Sequence, residues 1–458
     1  MRSPTRSDRP EVAIIGGGFA GLSAAVELSR HGIGVTVVEQ KPELGGRAYS
    51  FFDDKAQDTV DNGQHLIMGC YRHTLAFLDA IGASKQLTFQ DDMTVEMVAP
   101  DGSRAALRAA RLPGPAHMVA GVLRYRHLAP RDRIRLLLGG ARMLAMQRLA
   151  RAQMERMTVA ELMDWLGQPA AVRRAFWYPL AIAALNEEPQ RASAALLCEV
   201  LRRAFFSRRR DSAIAYAAVG LSELYCEPSR SYIERHGGRI MTHSAVTALE
   251  MDGAGRVAGV RLSNGQVLAA DCVISAVPWM ALVRILPAQL LDSPFFSRLR
   301  RLSSSPIICV HLWLDRQVID APFVGFIDTT TQWLFNKEAL WSGRENRKLA
   351  HLSFVISGAR SLVELSTQQL AAQVQEDLKK MVPEARAAKI LRAIVIKEKQ
   401  ATLAPLPETF ALRPTVSTPL ENLFLAGDWV ATGLPATIES AVASGYEAAR
   451  AALTRLRA

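Results

Sequence analysis

The stretch Val12-Ala13-Ile14-Ile15-Gly16-Gly17-Gly18-Phe19-Ala20-Gly21 constrains this chain more than any other. A short apolar run suits a buried parallel strand, and it runs into G-x-G-x-x-G at Gly16, Gly18 and Gly21. An Ala/Leu-rich helix through Leu22 to Arg30, ended by Gly32, is expected next. Gly16 permits the tight turn, Gly18 lets the backbone approach a pyrophosphate, and Gly21 lets helix pack on strand. The helix N-terminus offers unpaired N–H groups and a positive dipole end to phosphates. A second strand, Gly34 to Val38, ends on Glu39, at about the 20-residue distance from which an acid reaches a ribose 2′-hydroxyl. The same carboxylate repels the extra phosphate of NADP. The glycines alone fit a structural turn equally well; the strand, the helix and the acid together point to a dinucleotide.

Leu44-Gly45-Gly46-Arg47 follows directly. It resembles the Gly-Gly-Arg extension of flavoprotein oxidoreductases related to amine oxidases and phytoene desaturases. That resemblance implies FAD as the dinucleotide, with Gly46 and Arg47 beside it. Further on, Asp61-Asn62-Gly63-Gln64-His65 precedes Tyr71-Arg72-His73-Thr74. In amine-oxidase-like flavoproteins this segment passes near the isoalloxazine ring, which implies flavin contacts at Gly63 and Gln64. The particular string is similar to the hydroxysqualene dehydroxylases, also called squalene-associated FAD-dependent desaturases, of hopanoid biosynthesis. A histidine in such a place is more often a satisfied polar residue. By the flavin it is also a candidate catalytic acid, because histidine titrates near neutral pH.

The C-terminal stretch carries the other flavin signal. Asn422 to Ala426 reads as a strand running into Gly427-Asp428, and a helix is expected from Thr437 to Leu453. In related flavoproteins the Gly-Asp aspartate hydrogen-bonds the ribityl or pyrophosphate part of FAD. The helix aims its N-terminus at flavin N1 and O2, so Thr437 and Ile438 are implied to supply N–H groups, and the dipole stabilises an anionic reduced flavin. The strand around Val246 is implied, by position alone, to hold adenine through its backbone. Because the two signals lie at opposite chain ends, the flavin domain is discontinuous. The expected architecture is α/β and amine-oxidase-like: a Rossmann-like FAD-binding domain from residues 1–88, 218–284 and 403–458, and a substrate-binding domain from 89–217 and 285–402.

Between these signals the pattern is coarser. Residues 89–112 read as strands turning at Asp101-Gly102, and His117 to Met157 as helix with Ile134, Leu137, Leu138, Ala141, Leu144 and Ala145 on one face. Arg131, Arg135 and Arg142 lie among them, and Arg148, Arg151 and Arg156 extend the basic run. Such a helix suits a bilayer interface or a domain helix with a solvated basic face. Thr158 to Glu161 reads as a capping box, and Thr367 to Met381 as a helix with Leu370, Val374, Leu378 and Met381 on its apolar stripe. Strands are expected over Val246 to Met251, Val257 to Leu262, Ile307 to Leu314, Leu349 to Ile356 and Ile390 to Ile396. Gly253-Ala254-Gly255 mimics a second fingerprint, but it sits between strands with no helix after it and reads as a hairpin turn. Phe176 to Glu187 fits either a wall of a long apolar pocket or core packing, and Glu187 is a reserve acid if a greasy setting keeps it protonated.

The 458 residues carry a net charge of +11, with no nucleic-acid motif, so an anionic membrane surface is the better partner. No run approaches the roughly 20 apolar residues of a membrane span, and Met1 to Pro10 does not read as a signal peptide. Five scattered cysteines without a C-x-x-C pair argue for a reducing cytoplasm, without disulfides or structural zinc. The last is Cys309, which leaves no cysteine near the C-terminal motif for a covalent flavin link. The chain reads as an FAD oxidoreductase, peripheral on the cytoplasmic membrane face and free of metal. The resemblance implies reduction of hydroxysqualene to squalene. With one dinucleotide site visible, a separate electron donor is expected. Carotenoid desaturase, amine oxidase and a Rab-escort-like prenyl-binding protein without flavin chemistry are the rivals.

Overall fold

The computed structural model of the chain describes residues 9–149, 151–341, 343 and 349–457; of residues 147–149 and 151 it describes the backbone only. Arg148 and Arg151, part of the expected basic run, therefore have side chains outside the described residues.

Five short apolar strands form a parallel sheet in the order Arg239–Met241, Gly34–Val38, Glu11–Ile15, Cys272–Ser275, Leu423–Leu425. Three widely separated stretches of chain supply them. Strands buried on both faces read as continuous apolar runs, which is why Val12 to Ile15 and Val35 to Val38 show no alternation. Helix Phe19–Arg30 packs on this sheet and on the C-terminal helix Ile438–Arg457. The two helices touch at small residues: a Cβ on Gly445 would lie 2.3 Å from the Ala20 carbonyl oxygen. An antiparallel meander, Val246–Met251, Val257–Leu262 and Val267–Ala269, packs against the sheet. Its first turn is the false fingerprint: the Asp252 carboxylate accepts from the N–H groups of Ala254 and Arg256, both at 2.9 Å.

A second sheet of seven strands runs Ile390–Leu403, Ser304–Leu314, Ala350–Ser357, Trp333–Asn336, Phe323–Phe326, Thr94–Val98, Arg104–Arg108. Its two faces differ in kind. Ile308, Val310 and Leu312 bury one face under helix Thr367–Met381, through Leu370, Val374, Leu378 and Met381. The alternate residues Cys309, His311 and Trp313 line the other. The first strand runs to Leu403, well past Ile396. It is a sheet edge, and charged residues on an edge discourage pairing with other chains; Lys397, Glu398 and Lys399 hid it in the sequence.

Helices Ala116–Arg124, Pro130–Leu149, Val159–Trp165 and Ala194–Ala204 enclose a separate apolar core with Trp177 and Leu185. Thr158 and Glu161 close a reciprocal capping box. In Pro130–Leu149 the buried positions are Asp132, Leu136, Gly139, Gly140, Met143 and Met146. Gly139 permits this, since a Cβ there would meet the Gln168 amide at 2.4 Å. The stripe expected to be apolar and interfacial is on the opposite side, with Ile134 49% and Leu138 53% exposed.

Candidate functional site

Two glycine turns build a cradle of bare backbone. Gly16 sits at φ +104°, and a Cβ on Gly21 would lie 1.9 Å from the Gly16 carbonyl oxygen, so only glycine fits either place. Gly18 faces Gly46 of the second turn. A Cβ on Gly46, itself at φ +60°, would come within 3.3 Å of the Gly18 Cα. Gly45 N–H donates to the Gly17 carbonyl at 2.9 Å and fixes the two turns together. Glu39 is buried at the end of its strand; its Oε2 accepts from Gly17 N–H at 2.8 Å and its Oε1 from Lys41 N–H at 2.9 Å. Met241 and Ser244 bracket it by backbone hydrogen bonds, which brings Val246, two residues on, to the same end of the sheet.

The C-terminal motif meets this cradle. Arg47 Nη2 lies 2.6 Å from Asp428 Oδ1, and Arg47 Nη1 donates to the Ala401 carbonyl at 2.6 Å. Burial opposes the Arg47 charge, but the charge and hydrogen bond of Asp428 outweigh it and hold the guanidinium above its ordinary value. Gly427 stands at φ +137° before Asp428. Thr437 caps the last helix, its Oγ1 accepting from Ser440 N–H at 3.2 Å. The N–H groups in a helix's first turn have no intrahelical acceptor, so the Thr437–Ile438 end suits an electron-rich ring edge. Bare glycine backbone, a ribose-length acid and two helix N-termini are the donor set a flavin dinucleotide requires, and the residues fit it.

Two residues of this half carry no sequence motif. Arg413 is buried and donates to the carbonyls of Asp428 at 2.8 Å and Trp429 at 3.3 Å, and to those of Val430 and Leu434. It organises the whole loop from Asp428 to Leu434. Burial pulls its pKa down to about 10, against the charge of Asp428. Glu439 accepts from the N–H groups of His73 and Thr74 at 3.0 and 2.9 Å, and so caps helix Arg72–Ala80 from another helix.

Where the hairpin ending at Asp61 meets the helix Lys337–Leu340 lies a buried charged group. Lys337 has no exposed surface; its Nζ donates to Asp61 Oδ2 at 2.5 Å and to Gln64 Oε1, and sits 4.1 Å from the centre of the Trp341 ring. Asp61 Oδ1 accepts from Ser50 Oγ at 2.6 Å and Leu221 N–H at 3.1 Å. A buried ammonium is tolerable only when paired and hydrogen-bonded in this way. Sequence reasoning missed Lys337. The available signal was a lone lysine inside the aromatic run Trp333 to Trp341.

The same group changes the reading of His65. Burial, with the positive charges of Lys337 and Arg47, outweighs Asp61 and lowers its pKa to about 4. His65 is therefore a neutral imidazole at physiological pH, not a group titrating near neutrality. Gly63 lies beside it, its Cβ position 3.9 Å from His65 Nε2. Glu187 lies apart, in a charged setting. It is fully buried, but Arg360 Nη2 lies 2.7 Å from its Oε2 and Arg191 Nε 3.5 Å from its Oε1. Two guanidinium groups thus flank its side chain, and its backbone packs against Gly358.

The fold and this cradle define a flavoprotein oxidoreductase, and the chain belongs to the family described as flavin containing amine oxidoreductase, which it matches over residues 19–453. It is 31% identical to a hydroxysqualene dehydroxylase of Sinorhizobium fredii over 97% of this chain and 98% of that one. It is 26% identical to a 15-cis-phytoene desaturase of Narcissus pseudonarcissus, over 97% and 80% of the two chains. Among solved structures, cyclohexylamine oxidase from Brevibacterium oxydans superposes with a TM-score of 0.70 at 18% identity, over 98% of this chain and all of that one. The expected fold class, a flavin cofactor and oxidoreductase chemistry are thereby met.

Proposed function

We propose that this chain binds FAD without a covalent link and reduces hydroxysqualene to squalene. The observation that carries the reading is Lys337. A buried ammonium beside Gln64 and His65 suits the loss of hydroxide from an allylic carbon, and the full-length similarity to hydroxysqualene dehydroxylase supplies the substrate class. FAD, when bound, supplies the hydride. The chain's residues do the rest. Lys337, which has no exposed surface, does not touch the departing oxygen; it is a positioning residue that fixes Gln64 and sits near His65, the residue the sequence suggested as the acid. Asp61 and Gln64 orient that ammonium. His65, held neutral, can donate an N–H hydrogen bond without adding a charge that would repel a developing allylic cation. Non-covalent attachment is supported by Cys309, the last cysteine, which lies in a sheet strand against His311 and Ser353.

Membrane association is part of the reading. Val119, Leu123, Ile134 and Leu138 are each at least 40% exposed on helices Ala116–Arg124 and Pro130–Leu149. Arg124, Arg131, Arg135 and Arg142 are exposed beside them. Apolar side chains ringed by arginine suit an anionic bilayer surface on the cytoplasmic side, from which a water-insoluble substrate is delivered. Among the described residues no helix is long and apolar enough to cross a membrane. Electrons come from a separate donor.

The test is a single anaerobic turnover. Photoreduced enzyme mixed with hydroxysqualene is expected to reoxidise and to yield squalene in equal amount, and acid precipitation to release all yellow colour into the supernatant. The similarity to phytoene desaturases favours a second reading, desaturation of a carotenoid precursor. It replaces the first if reduced enzyme leaves hydroxysqualene untouched while oxidised enzyme inserts double bonds into a polyene.

A further inference from the structure

Edge strand Arg104–Arg108 of the seven-stranded sheet and helix Ala116–Arg124 border a cleft of about 520 Å³ that the reading above does not use. Clefts that hold small ligands span roughly 300–1,000 Å³. Strand alternation puts Ala106 and Arg108 on one face, and one helical turn separates Ala120 from Arg124; all four line the cleft. The helix lies this close because its contact residue is glycine: a Cβ on Gly121 would stand 2.6 Å from the Arg108 carbonyl oxygen. Asp92 is buried in the wall and gathers three guanidinium groups. Its Oδ2 accepts from Arg111 Nε at 3.0 Å and lies 3.7 Å from Arg108 Nη2, and its Oδ1 accepts from Arg209 Nη1 at 2.9 Å. Arg209 also lines an adjoining smaller hollow with Asp91 and Arg210. Arg124 has no ion-pair partner among the described residues.

The geometry points to a site for the phosphate of an anionic phospholipid, with Arg108, Arg111 and Arg124 on the phosphate and the acyl chains leaving over Leu112, Val119 and Leu123. This rests on the membrane association proposed above and names what the surface grips. One Asp92 carboxylate does not neutralise four guanidinium groups, and the nearby Asp91 is offset by Arg210, so the cleft keeps an excess of positive charge. Asp92 engages Arg111 through Nε and Arg209 through one Nη, whereas a guanidinium carries five N–H donors; the other donors remain for a second acceptor. Several phosphate oxygens match such forks in pairs. Asp92 also fixes the arginines beforehand, so less side-chain freedom is lost on binding. The rim favours a lipid over free phosphate. Leu112 lines the cleft, Val119 and Leu123 stand on the adjoining stripe of the helix, and all three are exposed. A free anion gains nothing from them, whereas acyl chains remove this apolar surface from water. Helix Pro130–Leu149, with Ile134 and Leu138 exposed, packs against the same helix, so the rim and the proposed bilayer face belong to one pair of helices.

The test titrates the full chain, with FAD bound, by calorimetry with dihexanoyl phosphatidylglycerol kept below its micelle threshold. One saturable site per chain is expected. Arg111→Gln with Arg124→Gln is expected to weaken it at least tenfold, whereas Arg131→Gln with Arg142→Gln, which removes the same charge outside the cleft, leaves it unchanged. Inorganic phosphate is expected to bind at least tenfold more weakly than the lipid. Val119→Ser with Leu123→Ser is expected to weaken the lipid and not the phosphate. All of these side chains are exposed, and retained flavin absorbance checks that each variant folds. Arg124→Gln alone, at a side chain without an ion-pair partner, decides the matter if the double variant loses its flavin. Absence of a saturable site, equal losses in the two arginine pairs, or phosphate bound as tightly as the lipid overturns the proposal. The soluble lipid involves no bilayer, so a chain that takes it up yet ignores anionic liposomes keeps this site and loses the membrane face proposed above.

Discussion

Lys337 Nζ and Asp61 Oδ2 meet at 2.5 Å although 276 positions separate them in the chain. The lysine opens the short helix Lys337–Leu340 that follows strand Trp333–Asn336 of the seven-stranded sheet, and the aspartate ends strand Asp58–Asp61 of a two-stranded hairpin, so one ion pair ties the hairpin to the sheet's connecting helix.

Removing one partner of such a pair leaves a buried charge uncompensated. Lys337→Met is expected to cost about 3–5 kcal/mol of stability by this mechanism, and to slow single-turnover squalene formation by at least 100-fold. The Lys337→Met, Asp61→Asn double variant is expected to recover much of the stability and none of the rate. Denaturant titration and anaerobic stopped flow measure the two effects. Equal recovery of both would show that the pair is only structural.

His65 gives a pH signature of definite sign. Its folded pKa of about 4 lies below the ordinary 6.5, so the unfolded chain binds more protons between those values. The stability it contributes is therefore complete above pH 6.5 and lost as pH falls toward 4. His65→Gln is expected to flatten the thermal-stability profile in that window while leaving flavin bound. An inflection near pH 6.5 in wild-type turnover that vanishes in His65→Gln would restore the imidazolium as the acid.

Arg413 holds four carbonyls of the loop that carries Asp428. Arg413→Ala is expected to raise the dissociation constant for FAD at least tenfold, read by quenching of flavin fluorescence. Glu39→Ala is expected to weaken FAD to a similar degree by a different route, loss of the carboxylate that holds the Gly17 and Lys41 N–H groups. Unchanged affinity in the arginine variant would mean that the loop keeps its shape unaided.

Binding to anionic liposomes is expected to weaken steeply as salt screens the arginines. Ile134→Glu with Leu138→Glu is expected to abolish it without loss of flavin-dependent absorbance. Binding that persists in high salt, or in the double variant, removes helix Pro130–Leu149 from the membrane face.

Local geometry was legible in the sequence. Gly16, Gly18, Gly21 and Glu39 announce themselves because a turn, a close approach and a strand end each demand one residue type at short spacing. The capping box at Thr158 and the apolar stripe of Thr367–Met381 were readable for the same reason. Lys337 and Arg413 were not, since each draws its meaning from partners across the fold. The apolar neighbours of Glu187 in sequence do not reveal the distant Arg360, which with Arg191 sets its environment. The stripe on Pro130–Leu149 was read correctly as apolar, but periodicity does not say which side of a helix the rest of the protein covers.

The parallel sheet ends on Leu423–Leu425, a strand paired beside Cys272–Ser275. During synthesis that edge position stays empty until residues 423–425 have been made, and Asp428 and helix Ile438–Arg457 follow them. A chain cut before Leu423 therefore lacks Asp428 and the Thr437–Ile438 helix end, and with them the wall that faces the Gly16 turn.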